Sequence, residues 1–300
     1  MTEPTRTEPT ETAPTETAPT ETAPTGTRAM MSDAERFAGL HVPGAPLVLP
    51  NAWDHASAAA LAAHGFAAVG TTSLGVAAAS GKPDGTGATR AETLALAHGI
   101  TALPCLVTVD VEGGFSDDPA RVADLAAELA GYGVVGINLE DGRADGSLVP
   151  AGRHARVIAA IRDRVPGLFV NARTDTYWLR AAEQESVAET LRRARVYVEA
   201  GADGVFVPGL PDDAAIAAVA ESVRAPLNVL YAPGRHSRAR LAELGVARIS
   251  TGSLLFRAAL HAVVSVAAEL SDAVPDAEPT IPTYQRVQDI MATVDTGRAR

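Results

Sequence analysis

The stretch Leu106-Val107-Thr108-Val109-Asp110-Val111-Glu112-Gly113-Gly114 is an apolar run that ends in two carboxylates and a glycine pair. Such a run, closed by a turn, predicts a buried strand. Alternate residues of a strand share a face, so Asp110 and Glu112 should project together from its C-terminal end. Two adjacent carboxylates repel unless a positive charge sits between them. Mg²⁺ suits the place, because it takes oxygen ligands and is usually held by one or two carboxylates plus waters and substrate. Standing alone, the run reads equally well as an acidic strand exit facing solvent.

The surrounding sequence favours the first reading. Strands are expected at Leu47–Leu49, Ala67–Thr71, Cys105–Asp110, Val134–Glu140, Leu168–Arg173, Gly204–Pro208, Leu227–Leu230 and Ala247–Thr251. Helical patterns lie near 54–64, 90–101, 118–131, 152–164, 184–200, 212–222 and 237–244, with a last one near 253–270. Eight strands alternating with eight helices predict a parallel α/β sheet, and the number suits a (β/α)₈ TIM-type barrel over residues 31–272. An open doubly wound sheet is the runner-up, although no Gly-x-Gly-x-x-Gly follows the first strand. In such a barrel the site lies at the C-terminal strand ends. Those ends carry Asn51, Asp54, Ser73, Asp110, Glu112, Asn138, Glu140, Asp141, Arg173, Asp175, Asn228, Ser250 and Thr251. Polar groups gather there on otherwise apolar strands.

Composition narrows the function. The chain has 300 residues, 47% of them apolar, and a net charge of −11, which argues against nucleic acid as a partner. Cys105 is the only cysteine, so an internal disulfide and a thiolate metal cluster are excluded. It is expected as a small buried strand residue. Neither a signal-peptide core nor a bilayer-length apolar run is present, and the expectation is a cytoplasmic protein with no membrane partner. Lys82, the only lysine, lies in a Ser-Gly-Lys-Pro-Asp-Gly loop with no apolar pocket to activate it for Schiff-base chemistry. Residues 1 to about 29 repeat Glu-Thr-Ala-Pro-Thr and have too little apolar surface to offset their ordering entropy. Residues 1–30 are therefore expected as a disordered tail, either a solvating segment or the product of an upstream start codon. Residues 273–300 are expected to be a partly helical C-terminal segment.

Asp84, Asp110, Glu112 and Glu140 offer an oxygen-rich cage for a hard divalent cation. Arg173 is a bidentate fork for a substrate carboxylate, or else it neutralises the acidic cluster. Ser73-Leu74-Gly75 brings a hydroxyl and backbone N–H groups suited to a carboxylate or oxyanion. A Gly-x-Ser-x-Gly elbow is absent around Ser73, which discounts a serine hydrolase.

Asn51-Ala52-Trp53-Asp54, Thr71-Thr72-Ser73-Leu74-Gly75, Gly81-Lys82-Pro83-Asp84, Asp110-Val111-Glu112-Gly113-Gly114, Asn138-Leu139-Glu140-Asp141 and Asn171-Ala172-Arg173-Thr174-Asp175 resemble, in order and spacing, the isocitrate lyase/phosphoenolpyruvate mutase superfamily. The resemblance runs from about residue 34 to 270. It implies a (β/α)₈ barrel that exchanges its last helix with a neighbouring subunit, usually in a tetramer. It also implies Mg²⁺, with Mn²⁺ as a substitute, and substrates that pass through an enolate of a 2-oxo acid. By this resemblance Asp110 is the principal metal carboxylate, while Asp84, Glu112 and Glu140 hold metal-bound waters. Arg173 and Ser73 to Gly75 bind the substrate carboxylate, and Asn228 is a polar residue near the substrate. The chain departs from the family after the fourth strand. The Lys-Lys/Arg-Cys-Gly-His loop of the isocitrate and methylisocitrate lyases is replaced by Gly142-Arg143-Ala144-Asp145-Gly146-Ser147, and the phosphonomutase loop is missing too.

The expected activity is therefore a Mg²⁺-dependent carbon–carbon lyase acting on a small 2-oxo or 2-hydroxy dicarboxylate. The alternatives are P–C chemistry, as in a phosphonopyruvate hydrolase or mutase, and a non-catalytic 2-oxo acid binder. No proton donor is evident; His154 follows the shortened loop but is expected to face solvent. The stretch Leu254–Leu270 is apolar over most of its circumference, so a helix there must be covered on more than one side. Either the segment 279–294 shields it or a second subunit does. The expectation is a homo-oligomer, at least a dimer and more readily a tetramer.

Overall fold

Pro50 divides the first apolar run into β1 (Leu47–Leu49) and β2 (Asn51–Ala52), because proline has no N–H to give a ladder. The two halves turn to different neighbours. β1 pairs with β9 (Arg248–Ser250), the last strand, and β2 pairs with β3 (Ala68–Thr71). Between them lie β4 (Leu106–Asp110), β5 (Gly136–Glu140), β6 (Phe169–Arg173), β7 (Gly204–Val207) and β8 (Leu227–Leu230). Every pairing is parallel, and the order β1-β9-β8-β7-β6-β5-β4-β3-β2 ends on two halves of one run. The sheet is thus a (β/α)₈ TIM-type barrel. The computed structural model describes residues 1, 31–179, 186–272, 274–275 and 278–297. The expected disordered tail and the first two residues of the helix expected at 184–200 lie outside them. Ser32–Arg300 form one compact unit.

The expected helices form as α2 (His55–Ala63), α4 (Arg90–Ile100), α5 (Pro119–Gly131), α6 (Ala151–Arg164), α7 (Val187–Glu199), α8 (Asp213–Ser222), α9 (Arg238–Glu243) and α10 (Leu254–Ala268), with α1 (Asp33–Gly39), α3 (Ser73–Ala79) and α11 (Tyr284–Gly297) in addition. Local chemistry explains their starts. The Asp118 carboxylate accepts from the Ala120 N–H with Pro119 at the first helical position. Asp54 closes a capping box with Ser57 at the head of α2, which occupies it away from the strand-end site. α5 buries Val122, Leu125, Ala126 and Leu129, one stripe at helical spacing.

One end of the barrel is plugged. Phe37 of α1 meets the Phe169 ring edge-on at 5.3 Å, and the His41 ring stacks on Phe169 at 4.4 Å. Leu49, Ala68, Leu106 and Val135 complete this floor. Gly136 is required there, since a Cβ would stand 3.0 Å from both the Phe37 ring and the Phe169 carbonyl. The interior therefore opens only toward the C-terminal strand ends.

Cys105 corrects an expectation. Its N–H donates to the Leu103 carbonyl in a turn, and the ladder starts with Leu106 N–H on the Ala67 carbonyl. The cysteine is half-buried just before β4, not a buried strand residue. Among the described residues, no helix is long and apolar enough to cross a membrane. α10 buries Leu254 and Phe256, of which Phe256 packs with Leu74 of α3 and Val287 of α11, but Val263, Val264, Val266 and Leu270 remain exposed.

Candidate active site

Below the open mouth lies a polar layer inside the barrel. Asn171 donates through Nδ2 to Asn138 Oδ1 at 2.8 Å, and Arg248 donates through NH2 to the same oxygen at 3.2 Å. Arg248 Nε donates to Ser250 Oγ at 3.0 Å, and that hydroxyl donates to Asn228 Oδ1 at 3.1 Å. Arg248 is fully buried, and its NH1, with Asn228 Nδ2 and Thr108 Oγ1, has no partner among the described residues. Burial lowers the Arg248 pKa to about 9, opposed by the nearby Asp110 charge. Asn228 sits in this layer, two residues before Leu230 on the same face, and not at the rim.

Above the layer stand the carboxylates. Asp110, at the end of β4, accepts from the Glu112 N–H through Oδ1 at 3.1 Å, and its own N–H is held by Thr71 Oγ1 at 2.9 Å. Glu112 has a φ of 49°, a left-handed conformation that is uncommon outside glycine. That backbone turn carries its carboxylate to the loop after α3, where Oε2 accepts from Gly87 N–H and Oε1 from Thr89 Oγ1, both at 2.8 Å. Glu112 thereby pins the loop that bears Asp84. Asp84 Oδ2 accepts from the Tyr284 hydroxyl at 2.7 Å, the Ser73 hydroxyl lies beside the carboxylate, and Oδ1 is buried without a hydrogen-bond partner among the described residues. Lys82, in the same loop, pairs with Glu92 of α4 at 2.5 Å and donates to the Ala88 carbonyl.

Arg173 crosses the acidic mouth. Its Nε and NH2 donate to Asp175 at 2.6 and 3.1 Å, and its NH1 pairs with Glu140 at 2.7 Å. The neutralising role is therefore present in the structure. A guanidinium has five N–H groups, and the hydrogen-bonded fork to Asp175 uses two of them. The Trp178 ring lies 5.7 Å from the Arg173 guanidinium carbon.

Charge in this mouth is unbalanced. Burial raises the pKa values of Asp84, Asp110, Glu112 and Glu140 above the usual carboxylate range, Glu140 well above it. Asp175 rises to about 6 because burial outweighs the fork from Arg173. Burial works against the Arg173 charge, but Asp175, Glu140 and Asp110 together raise its pKa. Five carboxylates thus share two guanidinium groups, Arg173 and Arg248. Such a cluster favours a divalent cation, and Asp84 Oδ1 is a buried oxygen that no described residue meets in hydrogen-bond geometry. Among the described residues, no three His, Cys, Asp or Glu side chains form a direct chelating group. The oxygens of these carboxylates are the donor type a hard cation such as Mg²⁺ takes.

Ser73, Leu74 and Gly75 form the first turn of α3, a short helix that begins without a side-chain cap at Thr72. Its leading N–H groups lack helical acceptors. Gly75 is fixed by close approach, since a Cβ would come within 2.6 Å of Trp53 Cβ. His154 departs from expectation. It is buried on α6 against the Tyr197 ring at 4.7 Å, with its pKa lowered to about 4 by burial. It bonds the backbone of Leu139, whose side chain alternates with those facing the interior, so the imidazole lies in the helix–sheet layer. Asp141 is likewise structural, accepting from Arg193 NH1, the Tyr197 hydroxyl and the Asp175 N–H. A cavity of about 190 Å³ is lined by Trp178, Val207, Ile216, Val229 and Arg235, without any of the site carboxylates.

Sequence reasoning passed over Arg248, Trp178 and Tyr284. Arg248 carried a signal, a cation inside an apolar strand. Tyr284 carried none, because its partner is 200 residues away.

Fold and site define a (β/α)₈ barrel with an acidic, arginine-crossed site at its C-terminal mouth. A family model described as phosphoenolpyruvate phosphomutase matches residues 37–271. The chain belongs to this family, within the isocitrate lyase/phosphoenolpyruvate mutase superfamily, whose members are lyases and mutases. An uncharacterised protein of Mycobacterium tuberculosis (strain ATCC 25618 / H37Rv) is 48% identical over 236 residues, 79% of this chain and 89% of that protein. The 2-methylisocitrate lyase of Halalkalibacterium halodurans is 33% identical over 65% of this chain and 66% of its own. A crystal structure from Burkholderia cenocepacia J2315, provisionally called a phosphonomutase, superposes with a TM-score of 0.75 at 38% identity, covering 79% of this chain and 99% of that one.

Proposed function

We propose that this protein is a Mg²⁺-dependent carbon–carbon lyase acting on a small 2-oxo or 2-hydroxy dicarboxylate through an enolate. The observation that carries this reading is the surplus of buried carboxylates around Asp84 Oδ1, which calls for a divalent cation. Asp110 would approach the ion most closely, with Asp84, Glu112 and Glu140 holding its waters. Mn²⁺ would substitute. Bound there, the ion supplies Lewis acidity that stabilises negative charge on the substrate's 2-oxygen. The Arg173 N–H groups outside the Asp175 fork and the first-turn N–H groups from Ser73 to Gly75 would hold the substrate carboxylate, with Asn228 beneath. In the decarboxylating variant the C3–C4 electron pair passes into the C2–C3 bond, CO₂ leaves, and C3 then takes a proton. In the retro-aldol variant the 2-hydroxyl loses its proton and becomes the 2-oxo group as C2–C3 breaks, and the pair left on C3 is delocalised into the carboxylate it bears before C3 takes a proton.

The exposed stripe on α10 supports a homo-oligomer in which a second copy covers Val263, Val266 and Leu270. A cytoplasmic location accords with this small-acid chemistry. The test is turnover, read by mass spectrometry, on a pool of 2-oxo and 2-hydroxy acids with Mg²⁺. Loss of a dicarboxylate with appearance of a shorter 2-oxo acid is expected; phosphate release from phosphonopyruvate alone would replace this reading with P–C chemistry. One observation favours a binder as second reading. The loop after β5 is tied to itself, by Arg143 N–H on the Ser147 carbonyl and a Gly142–Leu148 bridge, and offers no Cys, Lys or His. Tight binding without turnover across the pool would establish it.

A further inference from the structure

The family match ends at residue 271, yet α11 beyond it reaches the site through Tyr284. The Tyr284 hydroxyl donates to Asp84 Oδ2 at 2.7 Å and accepts from Gln288 Nε2 at 3.3 Å, one turn along α11. Its ring meets Trp178 edge-on at 5.3 Å, and Trp178 in turn underlies the Arg173 guanidinium. The helix is seated firmly enough to hold that hydroxyl in place. Val287 is buried with Leu74 and Phe256, Met291 packs on the same cluster, and Arg257 NH1 donates to the Pro282 carbonyl at 2.6 Å. Leu74 belongs to the Ser73–Gly75 turn, so α11 rests on one candidate substrate segment while Tyr284 grips the loop of another site residue.

We propose that Tyr284 is a positioning residue of the active site, which fixes one oxygen of Asp84 and leaves the other turned to the cation. The proposal rests on the cation-dependent reading above. A phenol bonded at Oδ2 removes the rotation that would exchange the two oxygens, so the partnerless Oδ1 keeps one place. The same ring, with Trp178, walls the mouth beside Arg173 and restricts the size of what enters.

The test uses the full chain and needs no turnover, so it stays informative if the lyase reading fails. Tyr284→Phe keeps the ring and loses the hydroxyl. Calorimetric titration with MgCl₂ alone should show affinity weakened about 10-fold, in the range usual for groups that orient metal ligands, with an unchanged thermal midpoint. Tyr284→Ala should also bind benzylmalonate more tightly relative to oxalate than the parent does. Mg²⁺ affinity within twofold of the parent in a folded Tyr284→Phe protein overturns the proposal, whatever the alanine variant does.

Discussion

Arg173 and Asp175 stand two residues apart at the end of β6 and face each other through a two-point ion pair, Nε to Oδ1 at 2.6 Å and NH2 to Oδ2 at 3.1 Å. The pair is anchored from behind. The Asp175 N–H donates to Asp141, and Asp141 is gripped by Arg193 and Tyr197 of α7. The direction of the arginine fork is thus set by a chain of contacts reaching the outer helix layer. Asp175→Asn keeps the shape and loses the charge. It should raise KM for the substrate and lower kcat/KM about 10- to 100-fold, with little change in overall fold. An unaltered KM would show that Arg173 does not depend on this support.

Asp110 should govern cation binding. Asp110→Ala removes the strand-end carboxylate and leaves the hydrogen bond from its backbone N–H to the Thr71 hydroxyl intact. Calorimetry should find Mg²⁺ affinity lost and circular dichroism unchanged. Retention of the parent's affinity would exclude Asp110 as the principal ligand.

His154 should make the protein acid-sensitive. Its pKa is lowered to about 4 by burial, against an ordinary value of 6.5, so the folded protein resists protonating it while the unfolded chain does not. The stability it contributes is complete above pH 6.5 and is lost as pH falls toward 4. At pH 5 the loss is about 2 kcal/mol. The buried carboxylates act in the opposite sense, so the measurement is a difference. Between pH 7 and 5, urea unfolding should lose about 2 kcal/mol more in the parent than in His154→Gln. Equal losses would mean that the imidazole protonates in the folded state.

Assembly is checked by light scattering. The parent should give at least a dimer mass at micromolar concentration. Val266→Asp, on the exposed stripe with Val263 and Leu270, should shift it toward monomer. A monomeric parent would defeat the prediction and leave that stripe as an unexplained apolar patch.

The barrel was legible because its strands are short apolar runs, and burial on both faces of a parallel sheet leaves that mark. The strand-end positions of Asp110, Glu140 and Arg173 followed from the same registers. Three things were not legible, each for a physical reason. α3 is a seven-residue alanine-rich run, too short for its periodicity to register. The direction of the Glu112 carboxylate depends on one positive φ, which a run of residue names does not encode. Whether His154 faces water or the sheet is decided by the rotation of α6 about its axis, and Val157, Ile158 and Ile161 set that rotation only once they pack.

The divided run at Pro50 has a consequence for biogenesis. Asn51 Oδ1 accepts from the N–H groups of Thr251 and Gly252, some 200 residues on. At about 5–20 residues per second of synthesis, the first strand waits on the order of 10–40 s for its second neighbour. Until then its β1 half is an open edge beside a growing sheet, able to pair with another nascent chain. Proline at the junction removes one donor from that edge, and the run is only a few residues long. Slowing translation ahead of β9 should therefore raise aggregation more than the same delay placed after it.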